Sequence, residues 1–302
     1  MRVSGRTVSL TLVLAAFGMA ARAQVIDYTE DLAFDRPEAW GMKYFTSVTL
    51  LTGMGSPKKM KAGALDIGLE LGNVPSLSRE DRTIGFNGTK TEDLNKTSVF
   101  GRPRVTIGLP AKFSITAGFV PPVEYKGVKP SVFSLSLNRP FYDHDDFRFG
   151  GRLIGQVAKF KGDLTCPESV VGEGPATNSF GCIAASHDEV TQNYVAFEAS
   201  AAWDLMHDKL TPFAALSVNR LDMEFQVDSR YQTFHDRSLL KADGITYALS
   251  GGAAFQLLDR LAVSGELFYT PLSVVRSEGS ASQNDALFNV RLMVSYRILG
   301  AD

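Results

Sequence analysis

The chain has 302 residues with 31 Lys and Arg against 33 Asp and Glu, a net charge of −2, and signs mixed along its length. That balance gives no extended field for nucleic acid or an anionic membrane surface, so nucleic-acid binding is set aside. Length and composition suit one large β-domain better than two ordinary ones.

In chain order, Arg2 and Arg6 precede an apolar run from Val8 to about Ala20 and then Ala21-Arg22-Ala23. This is the layout of a secretory signal peptide over 1–23, cleaved after Ala23. The run is too short to span a bilayer, and no later apolar stretch of about 18 residues follows it. Residues 24–42 form a polar N-terminal segment, expected in the periplasm or tucked into a lumen. Within it Asp35-Arg-Pro-Glu-Ala-Trp40 predicts a short helix capped by Asp35, with Pro37 in its first turn.

From 43 to 302 the periodicity is that of strands. Phe288 to Ile298 is apolar at every even position, with Asn289, Arg291, Ser295 and Arg297 between, so one face suits lipid or a core and the other water. Leu65, Ile67, Leu69 and Leu71 alternate with Asp66, Gly68 and Glu70 in the same way. Strands are expected at about 43–53, 62–72, 81–88, 98–109, 113–120, 131–138, 147–160, 191–204, 210–227, 244–256, 261–270 and 286–298, about twelve in all. Between Val218 and Leu221 the apolar parity switches, which predicts a β-bulge near Asn219-Arg220.

Connections alternate between short (110–112, 139–146, 205–209, 257–260) and long (121–130, 161–190, 228–243, 271–285), and aromatic residues gather near strand ends. In these features 43–298 resembles the class of bacterial outer-membrane β-barrels, whose turns are short on the periplasmic side and long outside. The resemblance implies an all-β, closed antiparallel transmembrane barrel, with outer-membrane lipid and the barrel-assembly machinery as partners. The class often ends on an aromatic residue, whereas here Tyr296 is the last one.

Cys166 and Cys182 share one long connection of an exported chain and are expected to form a disulfide. With alternate residues facing inward, the lumen is expected to carry Asp66, Glu70, Arg82, Arg104, Arg148, Arg152, Glu198, Glu266, Arg291 and Arg297. Register places Glu70 near Arg82, Arg152 near Glu198 and Glu266 near Arg291. Such groups either set the selectivity of a narrow channel or transporter for small polar or amphipathic solutes, or pair with one another in a filled lumen. The alternatives are a non-conducting structural or surface-binding barrel acting through its disulfide loop, and a soluble secreted β-protein. The four histidines fall in turns or loops, and Ser186-His187-Asp188 is too local for a triad, so no catalysis is expected. Asp143-His144-Asp145-Asp146 reads as a solvated turn, and neither metal nor cofactor is expected.

Overall fold

The computed structural model describes residues 24–207, 209–277 and 279–300. The signal peptide expected over 1–23 lies outside the described residues. Ten long strands among them form one up-and-down barrel: β1 (Leu65–Asn73), β2 (Val99–Gly108), β3 (Ser114–Val120), β4 (Val128–His144), β5 (Phe147–Gly162), β6 (Asp188–Trp203), β7 (Leu210–Gln226), β8 (Leu239–Leu258), β9 (Leu261–Thr270) and β10 (Leu287–Leu299). Each pairs antiparallel with its sequence neighbours, and β10 closes the ring on β1, with Leu292 opposite Leu71. A short strand, Thr29–Asp31, lies parallel to the end of β8 outside the ring. Closure leaves no open ladder around most of the wall, which is what a bilayer demands of β-structure.

The outward residues of these strands form an apolar belt: Leu69 and Leu71 on β1, Leu135 and Leu137 on β4, Leu153 and Val157 on β5, and Leu292 and Val294 on β10 are all exposed. Among the described residues no helix is long and apolar enough to cross a membrane. The inward residues of the same strands include Ser134, Ser136, Asn138, Gln156 and Ser200, all buried. Apolar outside and polar inside is the inverse of a soluble sandwich and the pattern of a membrane barrel.

Three expectations are corrected. The strand expected at 43–53 is instead the end of helix α1 (Pro37–Val48) and an extended stretch beyond it. The segment 81–88 is a turn within the β1–β2 loop, with only Thr83–Ile84 extended and Phe86 and Asn87 at positive φ. The barrel therefore has ten strands, not twelve, and stays even. Finally, no bulge interrupts β7, whose pairing runs without a slip from Leu210 to Gln226 against β8. Its odd residues face inward throughout. The lower ones include polar Thr211, Ser217 and Asn219 alongside Phe213, whereas Leu221 and Met223 face inward where α1 packs. Outside, Leu216 and Val218 give way to Arg220, paired with Asp243 where the strand leaves the belt. The parity switch records a change of surroundings on both faces.

α1 begins at Pro37, whose fixed φ suits the first turn, and carries Glu38 where an acid favours the helix N-terminus. Arg36 rather than Asp35 is the capping residue, and it makes no side-chain cap bond. Eleven of its twelve residues are buried, and it packs inside the ring against β6, β7, β8 and β10. From its end the chain descends the lumen through Thr49–Met60 and enters β1 at the short-turn end. The N-terminal residues Gln24–Ile26 pair with Phe234–Asp236 at the opposite, long-loop end.

Candidate functional site

The lumen is where the charges converge. A helix leaves its last carbonyls without intrahelical partners, and the wall supplies donors to those of α1. Arg291 Nη1 donates to the Leu50 carbonyl at 2.6 Å, and its Nη2 donates to Ser47 and Val48 at 3.3 and 3.2 Å. Arg102 donates to the Thr49 carbonyl. Two guanidinium groups at the negative end of the helix dipole satisfy its geometry and its field together. Further down, Arg104 Nη1 donates to the Thr52 carbonyl at 2.6 Å and Arg152 Nη2 to that of Gly55 at 2.5 Å.

The acids complete the network. Glu70, fully buried, accepts from Arg104 Nε at 2.9 Å and lies 3.6 Å from Arg102 and 3.9 Å from Arg291. Glu198 pairs with Arg152 directly opposite it on β5 and accepts the Gly53 N–H at 3.2 Å. Glu266 stands opposite Arg291, 4.0 Å away, and accepts from the Thr52 hydroxyl at 2.7 Å. Tyr194 OH accepts the Leu51 N–H at 2.7 Å. Gly53 is required for this fit: a Cβ there would fall 1.9 Å from the Arg152 guanidinium. The wall thus reads the backbone of 47–55 carbonyl by carbonyl, and the chain's own segment fills the lumen.

The other expected lumen residues lie elsewhere. Arg148 forms a bidentate pair with Asp204, which also accepts from Thr211, and Arg297 pairs with Asp66 at 2.9 Å; both pairs are near the short-turn end. Arg82 sits in the β1–β2 loop and on no barrel strand, and Glu70 is opposite Arg102 instead. The missing strand at 81–88 removes the register that would have paired them. Arg102 was not anticipated, although it shares the parity of Arg104 on one strand. Below the plug, a cavity of about 240 Å³ opens toward the short turns, lined by Arg104, Arg148, Arg152 and Arg260 with Thr116 and Asn138.

At the other end three long loops are sewn into a cap. Cys166 and Cys182 are bonded, with Cα atoms 5.8 Å apart, and pack with Tyr231. Buried Asp188 accepts from the Thr165 N–H at 2.7 Å, the Ser186 hydroxyl at 2.7 Å and the Asp228 N–H at 3.1 Å. Ser186 also accepts the Cys166 N–H, and His187 donates its N–H to the Asp228 carbonyl, so these three neighbours are spread over the scaffold of the cap. His235 bonds Asp228 at 2.7 Å. His144 ends β4 and Asp145 and Asp146 make the β4–β5 turn, all three exposed, while Asp143 beside them is half-buried. Lys90 pairs with Glu92 and donates to the Thr165 carbonyl, tying the β1–β2 loop to the disulfide loop.

Burial raises the Glu92 carboxyl to about 7, helped by Asp188 and Glu38 and opposed by Lys90. Since the unfolded value is lower, the folded cap holds a proton that the unfolded chain releases between about pH 4.5 and 7. Its contribution is present below that window and is lost as pH rises through about 7, on the order of 3 kcal/mol. Amide exchange in the 163–187 loop, corrected for its intrinsic pH dependence, should accelerate from pH 5 to pH 8, and Glu92→Gln should flatten that slope.

No family model and no curated protein matches the chain. Among solved structures, it is similar to the translocator domain of the autotransporter NalP from Neisseria meningitidis, at 10% identity and TM-score 0.44 over 80% of this chain and 91% of that one. It is also similar to the outer membrane protease OmpT from Escherichia coli, at 10% identity and TM-score 0.43 over 78% and 94%. A third is the toluene transporter TodX from Pseudomonas putida, at 13% identity and TM-score 0.35 over 83% and 73%. These are loose superpositions of bacterial outer-membrane barrels. The barrel itself stands on the strand pairing and the outward apolar belt.

Proposed function

We propose that this chain is a bacterial outer-membrane barrel, closed by its own N-terminal segment, that works at its long-loop face as a non-conducting surface barrel. The observation carrying this reading is the set of bonds from Arg102, Arg104, Arg152 and Arg291 to the backbone of 47–55. Charges that would line a selective pore are spent on holding a plug, and paired buried charges are the stable state of such groups. The belt takes outer-membrane lipid, and the barrel class implies insertion by the assembly machinery. A non-catalytic cap is supported by the engagement of Ser186 and Asp188 in loop bonds.

A narrow channel for small polar or amphipathic solutes is the second reading, favoured by the polar cavity below the plug. Passage from it requires the plug to move.

The long loops mark the outer side, so the chain runs from the cell surface down through the lumen before its first strand. An epitope tag placed immediately before Gln24 should be stained by antibody on intact cells. Staining that appears only after permeabilisation would remove the surface role of this end.

A further inference from the structure

The wall of the barrel is broken at one place. Strand β2 pairs with β3 only from Arg104 to Gly108, and β3 stops at Val120. Val99–Pro103 therefore pair with β1 on one side and with no strand on the other among the described residues. Likewise, among the described residues, 129–131 of β4 pair only with β5, while Val128 also bridges to Tyr125 of the connecting loop. Four prolines border the break: Pro103 on β2, Pro121 and Pro122 ending β3, and Pro130 on β4. Proline lacks the N–H that an unpaired edge would leave unsatisfied, so the sequence is suited to an edge here. The connecting loop carries Val123 and Tyr125, 67% and 58% exposed.

Behind the break lies a cavity of about 470 Å³, bounded by α1 through Phe45 and Val48 and by Phe100, Val132, Phe160 and Val190. The inner wall of β4, β5 and β6 is polar lower down, at Ser134, Ser136, Gln156 and Ser200, but at this height the same strands turn Val132, Phe160 and Val190 inward. One inner residue breaks the rule. Gln192, fully buried on β6, borders the cavity, and both its Oε1 and its Nε2 lack a hydrogen-bond partner. A buried amide without partners costs free energy that is recovered when water or a ligand bonds it. The two cations on its lining, Lys96 and Lys161, are already paired with Asp93 and Asp163 and with Glu189.

We infer that this cavity takes a single-chain amphiphile through the gap between β2 and β4, its apolar body against Phe100, Val132 and Phe160 and its neutral head on Gln192. An amide head offers one donor and one acceptor, the complement of the glutamine side chain. A carboxylate would meet no unpaired cation on the lining and is disfavoured. The volume is that of an ordinary small-ligand site.

The test is photolabelling of the full mature barrel in lipid nanodiscs with a long-chain fatty amide bearing a diazirine on the chain. Labelled peptides should map to the inward residues Val132, Phe160 and Val190, and excess dodecanamide should suppress them. Gln192→Leu should lower that labelling about tenfold while leaving a head-less alkyl diazirine unaffected. Labelling confined to the outward residues Phe133 and Val157, or inward labelling that dodecanamide does not compete, would overturn the proposal. The mapping on the unaltered protein decides this even if the variant does not fold.

Discussion

Deleting residues 37–60 should turn a silent barrel into a conducting one. The unaltered chain from Gln24 onward, inserted in a planar bilayer, is expected to give no discrete current steps, because α1 and the stretch after it occupy the lumen and are bonded to the wall at several heights. Removing them leaves a ten-stranded ring with Arg102, Arg104, Arg152, Arg291, Glu70, Glu198 and Glu266 facing the freed space. Water would then solvate these groups, and their hydration offsets much of the lost pairing. Stepwise openings in the deleted chain and none in the parent support closure by the plug. Steps of similar size in both would mean that ions already pass beside it, and the channel reading would take over. Heat-modifiable migration on a gel separates a barrel that is folded and silent from one that never inserted.

Replacing Arg291 by Ala is expected to cost about 3–5 kcal/mol, the range for removing one member of a buried charge network. Arg291 is fully buried, stands over the Phe268 ring at 4.0 Å, and serves three carbonyls at the end of α1. Its loss strands Glu266, whose remaining bond among the described residues comes from Thr52, and leaves the Val48 and Leu50 carbonyls unsatisfied, while Ser47 keeps the Leu50 N–H. Arg297→Ala is the control of similar chemistry, since that side chain is one-fifth exposed near the short turns and should lose no more than about 1 kcal/mol. Urea titration in lipid vesicles, read by the heat-modifiable band, measures both. Equal midpoints for the two variants would show that the plug contacts contribute little to stability.

Much of the barrel was legible in the residues because membrane strands carry a strict two-residue period. Ten of the twelve expected strands correspond to barrel strands, and the disulfide between Cys166 and Cys182 is formed. The two that failed had different causes. Residues 43–53 lie in a lumen, surrounded on all sides, so burial leaves no polar face to mark a helix, and Tyr44, Val48 and Leu50 could be read as alternation. Residues 81–88 held an apolar Ile84 that packs against α1 and a Phe86 that stacks on Phe180 in the loop cap, rather than a sheet.

What the sequence determined by itself was a sided strand pattern, its turns, and charged residues assigned to the inner face by parity. Only the tertiary structure decided that these charges hold a threaded segment. A side chain's parity tells which face it takes, but its partner depends on what enters the lumen. Arg102 and Arg291 bind backbone carbonyls, and a backbone carbonyl leaves no mark in the identity of the residue that carries it.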